Sequence, residues 1–124
     1  MRRQRGQATV EFGLVGIMIL LLFFVLIDAA RLVFVYQTVG EAAREGAHTG
    51  QLFNSSDDQI RAAIETHSGY LGPVASTASF SPAGTRAIGG QVAVTVRYRY
   101  RTITPLLSQF GPIDISSTTT VVVE

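Results

Sequence analysis

Glu11 is the first residue in this chain whose type and setting could do chemistry: the apolar run from Ala8 to Ile27 is interrupted only by its carboxylate. An acid inside so apolar a segment is costly and points to a specific cationic or hydrogen-bonding partner. Other ionisable groups read more plainly. Asp28 and Arg31 stand one helical turn apart just beyond the run, spaced for a boundary ion pair. Glu41 and Glu45 are carboxylates at i,i+4 with Arg44 between them, the pattern of a solvated helix face. His48 and His67 are the only histidines, and neither shows the H-E-x-x-H spacing of a metal site. Arg97, Arg99 and Arg101 alternate along one strand face, while Tyr98 and Tyr100 fall on the other. No surface interleaves base-stacking rings with cations, and no nucleic-acid partner is expected. The chain has no Cys, and no G-x-S-x-G, Walker A or G-x-G-x-x-G motif occurs. No catalytic residue, metal ligand or cofactor is expected, and the chain does not read as an enzyme.

The elements that must position Glu11 come from the run itself. Phe12 to Ile27 is sixteen residues without a charge, thirteen of them Leu, Ile, Val or Phe. At roughly −0.3 to −0.6 kcal/mol each on an insertion scale, they favour the membrane by about 4 to 8 kcal/mol. About 20 residues suffice to cross a ~30 Å hydrocarbon core. Arg2, Arg3 and Arg5 precede the run, which places the N-terminus in the cytoplasm and the C-terminal part outside. A secretory signal peptide is the rival reading, but it needs small residues at −1 and −3 of its cleavage site. A cut after Ala29 puts Ile27 at −3, and a cut after Ala30 puts Asp28 there.

Beyond the run the helical habit persists. Leu32, Tyr36, Val39, Ala43 and Ala47 recur at three- and four-residue steps, and no Pro occurs before Pro73. One helix is expected from about Ala8 to about Thr49, with Gly50 as its stop. Ser56 and Gln59 stand at capping-box spacing before a second helix with Ile60, Ala63, Ile64 and His67 on one stripe and Gly69 at its C-cap. Gly72-Pro73 and Ser81-Pro82-Ala83-Gly84 read as breaks. Gln91 to Arg101 alternates cleanly, with Val92, Val94, Val96, Tyr98 and Tyr100 on one face. Ile113 to Val123 reads as a second strand and Val74 to Ser81 as a third, the latter joined to the Val92 strand as a hairpin through Ala87 to Gly90. The expected fold class is α+β: a long membrane-spanning helix continuing into an amphipathic half, packed by a short helix and a small antiparallel sheet.

Three stretches then carry a resemblance. Gly6-Gln7-Ala8-Thr9-Val10-Glu11-Phe12, Ile27-Asp28-Ala29-Ala30-Arg31 and Ala42-Ala43-Arg44-Glu45-Gly46-Ala47 are together similar to the TadE-like pseudopilins of the tight-adherence (Flp-type, type IVb) pilus systems. Gly-x-x-x-x-Glu followed by an aromatic resembles a type IV prepilin processing site. The resemblance implies a pilin-like minor subunit of a type IV pilus, a prepilin peptidase substrate cleaved after Gly6 and supporting pilus biogenesis and surface adhesion. Gly6 is then the last leader residue, Gln7 the new N-terminus, and Glu11 with Phe12 the assembly positions. Phe12 departs from the Tyr usual in Flp major pilins, and the chain is longer than those, which favours a minor subunit.

The implied organisation is a cytoplasmic leader at 1–6, a transmembrane half-helix at 7–28, an amphipathic half-helix at 29–50 and an extracytoplasmic headpiece at 51–124. Removal of residues 1–6 would leave 7 basic against 9 acidic side chains, turning the net charge from +1 to −2. The freed α-ammonium of Gln7 would be available to neutralise Glu11 of a neighbouring subunit. Gly13 and Gly16 are small residues suited to close helix packing. The implied partners are other pilin subunits through their N-terminal helices, the prepilin peptidase, the inner-membrane assembly platform and the lipid bilayer. The implied location is the inner membrane, in single-pass form, and the extracellular fibre. The alternative is an uncleaved single-span protein whose outer domain binds a ligand.

Overall fold

The computed structural model describes residues 2–83 and 86–124, with residues 2–5 described by backbone only. Gly84 of the expected break and the side chains of Arg2, Arg3 and Arg5 lie outside the described residues. The elements are α1 (Arg2–Gln51), α2 (Asp57–Ser68), β1 (Ala75–Ser81), β2 (Gln91–Tyr100), α3 (Pro105–Ser108) and β3 (Ile113–Val122). The fold is α+β, as expected. The sheet has the order β1-β2-β3, antiparallel throughout, with Ala75 opposite Arg97 and Tyr100 opposite Ile113.

α1 runs for 50 residues, about 75 Å at 1.5 Å per residue. Its N-terminal half has no protein around it: from Gly6 to Ile27 every residue except Val25 is exposed. A helix closes its own backbone hydrogen bonds, so this segment needs no partner chain to enter a lipid phase. It is long and apolar enough to cross a membrane.

The C-terminal half of α1 is the floor of the headpiece core. Val35, Val39, Ala42, Ala43 and Ala47 are buried against Ile60 and Ile64 of α2 and Val92, Val94, Val96 and Tyr100 of β2. Period-2 alternation turns the valines of β2 inward, as the sequence indicates. The stripe on α1 differs from the expected one at Tyr36, which is exposed. It stands about 100° around the axis from Val35, toward the edge of the buried face.

Gly50 is not a stop. α1 continues through it to Gln51, and Gly46 and Gly50 are the closest approach of the neighbouring elements. A Cβ on Gly46 would lie 2.7 Å from Ile64 Cγ1 and 3.1 Å from Val94 Cγ1, and one on Gly50 3.2 Å from Ile60 Cδ1. The helix ends instead where the chain terminus meets it, Glu124 N donating to the Gln51 carbonyl at 2.8 Å. The capping box of α2 forms as expected, Gln59 N to Ser56 Oγ at 3.2 Å and Ser56 N to Gln59 Oε1 at 2.9 Å. Gly69 does not take the left-handed cap. The chain continues as a 3₁₀ turn over Gly69–Leu71, and Gly72 adopts the positive φ of 89°. Of the expected α2 stripe, Ile60 and Ile64 are buried and His67 is exposed, its Nδ1 3.1 Å from the Ala63 carbonyl.

Two alanine variants test the close approach. Overpacking costs typically about 1–3 kcal/mol and the helix preference of Ala over Gly returns about 1 kcal/mol. Gly46→Ala should therefore lower headpiece stability by about 1 kcal/mol. Gly40→Ala, whose Cβ meets nothing nearer than 4.0 Å, should raise it by up to about 1 kcal/mol. Thermal unfolding of the full chain followed by circular dichroism should separate the two by on the order of 10 °C.

Candidate functional site

The residues singled out near the N-terminus all lie on the uncovered half of α1. Gly6, Gln7, Glu11 and Phe12 are exposed, and a Cβ at Gly6, Gly13 or Gly16 would have nothing within 4 Å. Gln7 and Glu11 are one turn apart, and the Gln7 side-chain amide donates to Glu11 Oε1 at 3.1 Å. The four-residue spacing that stacks them on one face follows from the helix itself. A carboxylate accepts only, so its free lone pairs are open to a further donor on a neighbouring molecule. Phe12, 80 % exposed, stands beside it.

Asp28 is built differently from the others. It closes the apolar run, yet only 2 % of it is exposed. Its carboxylate receives the Ile103 amide at 2.9 Å on Oδ1 and the Thr104 amide at 2.7 Å on Oδ2. The Tyr100 hydroxyl donates to Oδ1 at 3.2 Å. Burial pushes the Tyr100 phenol above its ordinary value, with the Asp28 charge acting in the same direction against Arg31, so it stays protonated and donating. The pairing with Arg31 expected from the i,i+3 spacing is present, at 4.0 Å between Arg31 Nη1 and Oδ1. At that length it is the weakest of the contacts. Arg31 also lies over the Tyr100 ring, 5.6 Å from its centroid. Asp28 is thus chiefly a fastener for the β2–β3 connection. Sequence reasoning did not find this role, because the donors are 72 to 76 positions away and two are backbone amides that carry no residue signature.

The remaining candidates do not converge. His48 and His67 are both exposed on separate helices, and Glu41 is exposed on α1. Among the described residues, no three of His, Cys, Asp and Glu come together in a way that could hold a metal ion. Arg99 pairs with Asp114 across the β2–β3 ladder at 3.2 Å, and Arg97 and Arg101 are exposed. Arg86 joins the hairpin loop to α2, donating to Ser55 Oγ at 3.2 Å and Asp57 Oδ1 at 3.3 Å.

Asp28→Ala would leave the Ile103 and Thr104 amides without their acceptor and the Tyr100 hydroxyl with only the backbone carbonyl of position 28 at 3.3 Å, and unmade buried hydrogen bonds are costly. The expected result is loss of amide exchange protection at Ile103 and Thr104, with Val94 and Val96 retaining theirs. Hydrogen exchange of the full chain in detergent or lipid checks this; unchanged protection at Ile103 and Thr104 would remove Asp28 as the fastener.

No curated protein and no solved structure shows a significant match to the chain. The family model TadE, described as TadE-like protein, matches residues 6–48. The match covers the uncovered half of α1, Asp28 and nearly all of the buried stripe, and ends before the headpiece elements. Over the segment that holds Gly6, Glu11 and Asp28, this chain is similar to TadE-like proteins.

Proposed function

We propose that the chain is a minor pilin or pseudopilin of a tight-adherence pilus system, cleaved after Gly6 and recruited through its N-terminal helix. The role is structural rather than catalytic. The observation that carries the reading is Glu11: an acid exposed on a bare apolar helix, five residues after Gly6, inside the segment that matches the TadE-like family. An ionised carboxylate at membrane depth is stabilised by a cation, and cleavage after Gly6 creates one at the Gln7 nitrogen.

In the uncleaved chain the Gln7 amide already serves Glu11 within the same helix, at 3.1 Å. A charged ammonium from a second subunit is the stronger donor, and its arrival fixes the axial register of two helices. Gly13 and Gly16, with open space above them, let such helices come close. The headpiece remains outside the membrane, and the assembly platform, the prepilin peptidase and other pilins are the partners of the N-terminal segment. Adhesion follows from the assembled fibre.

Intact mass and N-terminal sequencing of the protein from its native membrane test processing. The expected chain begins at Gln7; one that retains Met1 to Gly6 in cells with an active prepilin peptidase sinks the reading and favours an uncleaved membrane-anchored domain. Glu11→Ala should leave membrane insertion intact and reduce incorporation into assemblies by at least tenfold, the loss of one charge-assisted contact worth about 1.5–3 kcal/mol. Immunoblotting of sheared surface fractions against membrane fractions reads that ratio, and unchanged incorporation would remove Glu11 from the mechanism.

A further inference from the structure

The connection from β2 to β3, residues 101–112, carries apolar surface that the assembly reading leaves unused. Ile103 and Leu106 are 56 % and 57 % exposed and Phe110 is 84 % exposed. Large apolar side chains gathered on a short connection of a headpiece call for a cover. Their place in the fold identifies it. β2 runs antiparallel to α1, with Val92 beside Gly50 at one end and Tyr100 bonded to Asp28 at the other. The connection that follows Tyr100, up to Ile113 opposite it, therefore lies at the membrane end of the headpiece. The Ile103 and Thr104 amides are held on the carboxylate of Asp28, the residue immediately after the apolar run. Val25, one turn further in, is the only residue from Gly6 to Ile27 that is not exposed, so cover reaches past Asp28 along the run.

Charge is arranged to match. The Arg31 side chain is 46 % exposed at the end of the run, and Arg101 is exposed where the connection begins. Two cations level with the edge of a hydrocarbon layer, with apolar side chains beside them, fit the phosphate and upper acyl zones of a bilayer containing anionic lipid.

We propose that residues 101–112 form a second membrane contact, with Ile103, Leu106 and Phe110 entering the interfacial layer of the bilayer that α1 crosses and Arg31 and Arg101 at the phosphates. This rests on α1 being a membrane span. The contact holds the headpiece down on the membrane, so a subunit leaving the bilayer has to lift this connection out as well as its helix.

The chain has no Trp, so single Phe→Trp variants report depth without background. Phe110→Trp, Phe23→Trp within the apolar run and Phe53→Trp at the far end of the headpiece are each reconstituted as full chains. The vesicles are phosphatidylcholine and phosphatidylglycerol with brominated acyl chains. Phe110→Trp and Phe23→Trp should both be quenched several-fold more than Phe53→Trp, with Phe110→Trp responding most to bromines nearest the headgroup. Quenching at Phe23→Trp with Phe110→Trp no different from Phe53→Trp would overturn the proposal while leaving the span intact. A blue-shifted but unquenched Phe110→Trp would overturn it in favour of cover by a second protein copy. An unquenched Phe23→Trp would overturn it through the span itself.

Discussion

The first half of α1 has no neighbour to share its backbone hydrogen bonds, and that constraint shapes the rest of the chain. A segment destined for lipid must satisfy every N–H and C=O internally, which a continuous helix does alone. No Pro interrupts the sequence before Pro73, and the same rod is then reused as the floor of a soluble core. Val35 to Gly50 supplies one wall, and α2 and the sheet supply the others. A domain of this size buries little apolar surface by itself, so borrowing a wall from the helix is what makes the headpiece feasible without a disulfide. Small residues follow from that arrangement. Ala42, Ala43, Gly46, Ala47 and Gly50 keep the rod thin where two elements press on it.

The headpiece is fastened at both ends of its contact with α1. At the far end the chain terminus closes on Gln51, and Phe53 donates back to the Glu124 carbonyl at 3.1 Å. At the near end Asp28 collects two amides and a phenol. An ionised acceptor forms stronger hydrogen bonds than a neutral one, and here it ties the β2–β3 connection to the end of the apolar run. The Thr95 and Thr118 hydroxyls, 2.8 Å apart on the outer face of the sheet, add a cross-strand pair of the ordinary kind.

What was legible in the sequence is what local periodicity and local caps encode. The apolar run, the alternation from Val92 to Tyr100, the hairpin and the Ser56–Gln59 box all depend on residues within a few positions of one another. The misreadings share the opposite cause. Gly50 and Gly69 looked like stops because Gly often is one; at Gly50 the glycine answers to Ile60 and Val92, and after Gly69 the turn is completed by Gly72. Tyr36 fitted a stripe whose true line is set by what packs on it. Asp28 does pair with Arg31 as its spacing indicates, but its closer partners, the Ile103 and Thr104 amides, arrive from far along the chain and were not legible. The short α3, with Pro105 in its first turn, is four residues long and too brief to show a period.

Fastening at both Asp28 and Gln51 has a mechanical consequence. The headpiece cannot swivel on its stalk, so its orientation is a readout of the helix phase below it. One residue inserted between Phe12 and Ile27 would turn the whole headpiece by about 100° and raise it by about 1.5 Å relative to Glu11. In any helical array of such subunits, the azimuth at which each headpiece faces outward is therefore written in the residue count between Glu11 and Asp28.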